Sequence, residues 1–237
     1  MRVLVGMTAA LLWAVPASAQ QIGVDAQNRA WIRATVEGVS MEKVVDERGD
    51  FTLLLKKGRD AVRIAVGPEG LTVDVAGRRI AVAKGGANAD AQGLLRAALA
   101  RSGVLQLFRK AVAAAEIRAD AREAGRGDAL EETLLLDGAF IAYLLGDDAA
   151  LARHGRRVAR ATYGLMRVSQ FPSCYDHYYA SIAEAFNALL KCNKEALSQT
   201  TPILYRPVMY WGCQAEYFAR SQAAYYQFLS CAAIPLR

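Results

Sequence analysis

The chain of 237 residues has only two histidines, His154 and His177, and four cysteines, none before residue 174. A structural zinc site groups its ligands at short spacing. Here no two cysteines lie closer than 18 positions, so the sequence offers no metal motif. The C-x-x-C-H signature of attached haem is missing. So are G-x-S-x-G, H-E-x-x-H and the phosphate-cradling P-loop. No cofactor is expected. Blocks of like charge are missing too. The net charge of +6 arises from 29 basic and 23 acidic side chains spread along the chain, which argues against a nucleic-acid partner. Past the N-terminus, the best apolar run is 134–145. It is too short to cross a bilayer and contains Asp137.

What is present starts at the N-terminus. Arg2 precedes an apolar run over 3–15, and Pro16 leads into Ala17-Ser18-Ala19. This pattern predicts a secretory signal peptide over 1–19, cleaved after Ala19. Gln20 follows in place of cysteine, so a lipid anchor there is not expected. The expectation is export, to the periplasm or the medium, and the Ala-, Arg- and Gly-rich composition fits a bacterial envelope. Disulfides persist in such a compartment.

All four cysteines fall in an internal duplication. The segment 174–192, CYDHYYASIAEAFNALLKC, aligns without a gap on 213–231, CQAEYFARSQAAYYQFLSC. Within each copy the cysteines are 18 positions apart. That is five helical turns, so both point the same way, roughly 27 Å from each other. Neither can bond its own copy's other cysteine in a straight helix. Four cysteines allow three connectivities. A parallel pair of helices would join Cys174 to Cys213 and Cys192 to Cys231. Short connections favour antiparallel neighbours, and hence Cys174–Cys231 with Cys192–Cys213, across a linker over 193–212. The seam would then carry Tyr178, Ala185, Leu189, Tyr217, Ala224 and Phe228. Arg220 would face Ala185 and would need a carboxylate or an outward path. The layout resembles the small twin-cysteine helical hairpins of the mitochondrial intermembrane space, at much longer spacing.

The rest predicts an α+β chain, with a β-rich part over 20–86 and a helical part over 87–237. After a loose lead-in over 20–29, apolar residues alternate at Ile32, Ala34 and Val36, then at Phe51, Leu53 and Leu55. They alternate again at Val62, Ile64 and Val66, at Leu71, Val73 and Val75, and at Ile80 and Val82. These read as five strands, the last three an antiparallel meander turning at 67–70 and Ala76-Gly77. The charged stretch 38–50 reads as an excursion. After a hinge at 84–88 come a helix with Leu95 and Leu99, and a second with Leu105 and Phe108 ending near Gly125. A third opens on Asp128 with Glu131 in capping-box spacing and stops at Gly146. A fourth has a seam of Leu151, His154, Val158, Ala161, Leu165 and Val168, and ends at Phe171-Pro172.

The candidate chemistry is sparse. Cys174 to Tyr179 resembles the secreted phospholipase A2 helix, where a cysteine-anchored helix presents a histidine followed by an aspartate. Here the order is reversed, Asp176 then His177, and no glycine-rich calcium loop precedes it. That resemblance implies a lipolytic hydrolase using His177 with Asp176, or His154. On its own, Asp176 suits a helix start through the dipole, and His154 on an apolar seam reads as a hydrogen-bonded core histidine. Arg153, Arg156, Arg157, Arg160 and Arg167 could meet an anionic envelope surface, or form an ordinary solvated face. Tyr205, Met209, Tyr210 and Trp211, in an unusually apolar linker, either pack over the hairpin end or present an interaction surface. The primary expectation is an exported, non-enzymatic structural or interaction protein. A hydrolase, or a binder of apolar small molecules between sheet and helices, is the alternative.

Overall fold

The computed structural model describes residues 20–83, 89–121, 128–168, 174–198, 200–202 and 205–233, with no account of side chains at 89–90, 161–168 and 206–208. The signal peptide, the 84–88 hinge, the Gly125 stop and the Phe171-Pro172 stop lie outside the described residues. So do the side chains of Ala161, Leu165, Arg167 and Val168.

Seven strands form one antiparallel sheet in sequential order: β1 Gln21–Val24, β2 Ala30–Val36, β3 Val39–Val45, β4 Phe51–Lys57, β5 Asp60–Gly67, β6 Gly70–Val75 and β7 Arg78–Ala83. The alternation expected of a half-buried sheet is met. Ile32, Ala34, Leu53, Leu55, Val62, Ile64, Val73 and Val75 are all buried on one face. Two-residue turns close the hairpins at Glu37-Gly38 and Ala76-Gly77, where both residues have positive φ. That is the backbone twist a type I′ hairpin needs.

Two strands correct the sequence reading. The lead-in contains an edge strand, β1, paired with β2 from Gln21↔Arg33 to Val24↔Ala30. The excursion contains β3, paired on both sides. Its pattern is Val39, Met41, Lys43, Val45, all inward. Lysine stands where the alternation calls for an apolar residue, so the strand was hidden. Across the sheet, Lys43 lies between Ile32 and Leu53 in an otherwise apolar row that continues to Ile64 and Val73.

Among the described residues six helices follow: α1 Ala89–Ala100, α2 Gly103–Ala121, α3 Ala129–Leu145, α4 Asp148–Val168, α5 Cys174–Ala196 and α6 Arg206–Ala232. α1, α2 and α6 pack on the inner face of the sheet. α3 is hydrophobic on nearly every side and buried from Ala129 to Leu144, except Leu130 and Gly138, which are partly exposed. Its start is fixed by Asp128, whose side chain accepts from the Glu131 N–H at 2.8 Å, and its end by Gly146 in the left-handed region. α3 is thus the axis of the helical part. One apolar core runs from the sheet through α3 to α6. The close seat of the sheet on α6 depends on Gly49, in the β3–β4 turn. A Cβ there would collide with the Ala219 carbonyl oxygen.

Burial of Lys43 is answered in one place. Its ammonium lies 2.6 Å from Asp137 Oδ1, with both side chains fully inaccessible. It also sits over the Tyr225 ring at 4.2 Å and the Phe51 ring at 5.4 Å. Gln222 donates to the same carboxylate oxygen at 3.3 Å. Burial pushes the Lys43 pKa down, and Asp137 opposes that shift. Strand β3, α3 and α6 therefore meet at one buried charge pair.

The hairpin closes as the nested pairing requires. Cys174 bonds Cys231 with Cα atoms 6.0 Å apart, and Cys192 bonds Cys213 at 5.7 Å. All six expected seam residues are buried, and Tyr178 stacks on Phe228 at 5.0 Å between centroids. Arg220 finds its carboxylate four residues back, at Glu216. The linker is shorter than the expected 193–212. α5 runs on to Ala196 and α6 begins at Arg206, because Pro207 falls in the first turn, where a missing N–H costs nothing.

Two stability outcomes follow from this packing. Asp137→Ala strands an ammonium in the core and is expected to cost about 3–5 kcal/mol, whereas Lys43→Met with Asp137→Leu stays near wild type. Denaturant unfolding measures both, and a loss of under about 1 kcal/mol in the single variant contradicts the assignment. The two disulfides close segments of 57 and 21 residues. Loop-closure entropy predicts that replacing the Cys174–Cys231 pair by serines costs roughly 1 kcal/mol more than replacing Cys192–Cys213, read from the same unfolding curves.

Candidate functional site

Among the described residues three polar clusters are buried in or against the helices, and a groove opens beside one of them. The first is the Lys43–Asp137 pair, extended by Tyr225, whose hydroxyl bonds Thr133 Oγ1. Thr133 in turn donates to the Ala129 carbonyl at 2.6 Å.

The second cluster centres on Glu132, buried near the start of α3. Its carboxylate accepts from the Tyr179 hydroxyl at 2.9 Å and the Tyr175 hydroxyl at 3.4 Å, both on α5. Burial raises its pKa to about 7; the Tyr179 hydrogen bond opposes the shift and the Glu131 charge adds to it. The neighbouring Glu131 carboxylate lies 3.7 Å from Arg118 of α2. Sequence reasoning marks only Glu131, as the capping-box partner of Asp128, and misses Glu132. The available signal was the apolar character of α3 on all sides, which leaves any polar residue in it no route to water.

The third cluster holds His154. Its Nε2 lies 2.6 Å from the Tyr217 hydroxyl, and its Nδ1 is buried without a hydrogen-bond partner. Burial, helped by the nearby Arg157 charge, lowers its pKa to about 4, so it is neutral near pH 7. The expectation of a hydrogen-bonded core histidine matches this placement. His177 is exposed on α5, and Asp176 is half-buried in the first turn of that helix. Consecutive helical residues diverge by about 100°, so these two side chains do not share a direction. Phe186, which packs on Gly155, lies nine positions along α5 from His177, roughly 13 Å of rise. His154 and His177 therefore belong to different parts of the molecule.

The groove runs between α2 and α4 with α3 as its floor, and has a volume of about 390 Å³. Leu135, Gly138, Ala139 and Ala142, spaced along one side of α3, make the floor. Val112, Ala113 and Ala150 line the sides, and His154 forms part of the α4 wall. Ion pairs bridge its two ends. Arg109 of α2 meets Asp147 at 3.1 Å, and Glu116 of α2 meets Arg153 at 3.5 Å and Arg157 at 3.8 Å. Further along, Arg160 meets Asp120 at 3.4 Å. Three of the α4 arginines are thus engaged by α2 carboxylates. Among the described residues, buried side chains of the sheet and of the helices belong to one apolar core, and this groove lies among the helices. A second hollow, of about 550 Å³, lies on the outer face of the sheet, rimmed by Arg29, Glu42, Asp46, Arg48 and Arg63 over Val44 and Leu54.

The apolar linker residues divide. Trp211 stacks on Tyr143 at 4.3 Å, and the Tyr143 hydroxyl donates to the Trp211 carbonyl at 3.2 Å. Tyr210 is half-buried. Tyr205 and Met209 remain outside, 63% and 40% exposed, with Leu190 and Leu197 exposed near the same end of the hairpin. Among the described residues no group of histidine, cysteine and carboxylate side chains could hold a metal ion, and no helix is long and apolar enough to cross a membrane.

No family model, curated protein or solved structure matches the chain. The reading of function therefore rests on geometry.

Glu132 sets a pH dependence. An acid whose folded pKa lies above its unfolded value stabilises the fold below the unfolded value, 4.5, and that contribution is lost as pH rises through about 7. Complete loss amounts to about 3 kcal/mol. Between pH 5 and pH 8, wild-type stability should fall relative to Glu132→Gln, measured by urea unfolding at both pH values. His154 has the opposite sign, losing stability as pH falls from 6.5 through about 4, and it cancels in the comparison. Parallel pH profiles for the two proteins would rule out a buried, shifted Glu132.

Proposed function

We propose that the chain is an exported, non-enzymatic protein of the bacterial cell envelope that acts by binding, through a rigid helical body seated on a sheet. The observation that carries this reading is how its buried polar groups are engaged. Lys43 with Asp137 ties sheet to helix, Glu132 with Tyr175 and Tyr179 ties α3 to α5, and His154 with Tyr217 ties α4 to α6. Each acts as a cross-link, and the exposed His177 has no nucleophile assigned to it.

The compartment follows from two supports. The 1–19 segment has the pattern of an export signal, and both disulfides close a surface hairpin of the kind that lasts in an oxidising medium. The partner-facing region is the linker end of the hairpin. Tyr205, Met209, Leu190 and Leu197 are exposed there, a composition suited to the apolar surface of another envelope protein. An anionic envelope surface is the weaker match, because Arg153, Arg157 and Arg160 already have carboxylates. The α2–α3–α4 groove favours a second reading, in which the protein also holds a small apolar ligand.

The hydrolase alternative is tested directly. Purified protein is expected to hydrolyse p-nitrophenyl butyrate no faster than buffer, and His177→Ala is expected to behave identically. An esterase activity that disappears in His177→Ala, with the thermal midpoint unchanged, would overturn the non-enzymatic reading.

A further inference from the structure

The buried contact between Lys43 and Asp137 sets an amine against a carboxyl group, sealed from solvent on all sides. Both side chains are fully inaccessible, and Nζ lies 2.6 Å from Oδ1. A carboxyl C–O bond is about 1.2 Å long, so Cγ of Asp137 is within roughly 3.8 Å of the amine. That is close to the about 3–3.5 Å of a near-attack geometry, where effective molarities reach roughly 10⁵–10⁸ M. The other ion pairs named above are arginine pairs. Arginine keeps its charge, whereas a buried lysine gives up a proton readily and becomes a nucleophile.

The surroundings favour a reaction between the two groups. Burial lowers the Lys43 pKa, opposed by Asp137, so the neutral pair lies closer in free energy to the charged pair than it does in water. The rings of Tyr225 and Phe51, 4.2 and 5.4 Å from Nζ, keep the site apolar. Gln222 donates to Oδ1 at 3.3 Å, where its N–H can stabilise the negative charge of a tetrahedral intermediate. Asp137 Oδ2 is buried without a hydrogen-bond partner, so no bond retains it as a leaving group. An amide formed there is shielded from hydrolysis by the same burial.

We propose that Lys43 and Asp137 condense to an amide, a covalent tie between β3 and α3 inside the core. Lys43 first passes a proton to the Asp137 carboxylate, giving a neutral amine and a carboxylic acid. The amine attacks Cγ, the Nζ–Cγ bond forms, and the carbonyl electron pair moves onto Oδ1. A second Nζ proton passes to Oδ2, the carbonyl re-forms, and the Cγ–Oδ2 bond breaks. Oδ2 leaves with both protons as water, which departs through local opening of the fold. One amide and one water are produced, with no change of oxidation state and no co-reactant. The bond joins residues 94 positions apart, and it ties sheet to helix as the disulfides tie α5 to α6. It does not depend on the function proposed above. The near-equality expected above for Lys43→Met with Asp137→Leu belongs to the freshly folded chain, in which the wild-type pair is still ionic.

The test is mass spectrometry of the full chain, incubated folded for several days, then reduced, denatured and digested with trypsin. Condensation lowers the intact mass by about 18 Da, one water. The digest locates the loss: an amide leaves Lys43 uncut and joins peptide 34–48 to peptide 127–153. The joined peptide is expected in wild type. It is expected to be absent from Lys43→Met with Asp137→Leu, and from Lys43→Arg, which keeps a cation beside Asp137 without a nucleophile. If wild type, shown to be folded by circular dichroism, yields peptides 34–43, 44–48 and 127–153 separately and no joined product, the contact is an ion pair only and the proposal is wrong. A loss of water that maps to any other residues overturns it equally.

Discussion

The contact between Lys43 and Asp137 holds the architecture together. A lone ammonium under an apolar sheet is prohibitive, and an unpaired carboxylate in the middle of α3 equally so. Each is tolerable only when the other is in place. The sheet can therefore dock on the helices in one register. A shift of one residue along β3 would turn Lys43 to the outer face and bring a neighbour inward, leaving Asp137 buried without a cation. Tyr225 and Phe51 add ring faces to the ammonium, and Gln222 adds a hydrogen bond to the carboxylate. Three elements far apart in sequence are bound to a common point. The gain is in uniqueness of packing more than in raw stability, since a well-packed apolar pair could be as stable.

The disulfide hairpin acts on the same body from the other side. α6 is shared: one part of its surface meets the sheet, and another meets α5 along the aromatic seam of Tyr178, Tyr217, Tyr225 and Phe228. Stapling α6 to α5 at both ends limits how it can tilt, and so fixes where Gln222 and Tyr225 sit beneath the sheet. The Gly49 turn, pressed on the backbone near Ala219, registers the sheet against the same helix. The cross-links and the charge pair thus reinforce one geometry, and the His154–Tyr217 bond extends it to α4.

Much of this was legible in the sequence because it depends on period. The 18-residue spacing of the cysteines, with the antiparallel preference of short connections, predicts the hairpin, its pairing and its six seam residues, and the two-residue alternation predicts five strands. The caps at Asp128 and Gly146 marked α3 to the residue. What was hidden depends on partners distant in the chain. β3 reads as part of a charged excursion because Lys43 breaks its pattern, and Asp137, 94 positions away, makes the lysine acceptable there. β1 was missed because a four-residue edge strand is too short to show a period. α6 begins before the duplicated segment, whose first cysteine marks no helix start, because Pro207 is compatible with a first turn. His154 reads from sequence as a seam residue, and Glu132 carries no local signal at all. Their altered acidities come from tertiary burial, which no local pattern reports.

The groove has a cause in these same constraints. α3 must be apolar on the sheet side, where Phe140 packs on Phe51, and also where α6 and α1 pack. Its remaining side carries Leu135, Gly138, Ala139 and Ala142, and the three small residues leave part of the space between α2 and α4 open. Larger residues there would wedge those helices apart, because Val112 already packs directly against Gly138. Closing the gap instead would press Arg109, Glu116, Asp147 and Arg153 into a drier place, where desolvation works against ion pairs that are only modestly stabilising at the surface. The helices therefore rest at the separation where charges meet at the rim and small side chains line the floor. The resulting space is a consequence of the packing.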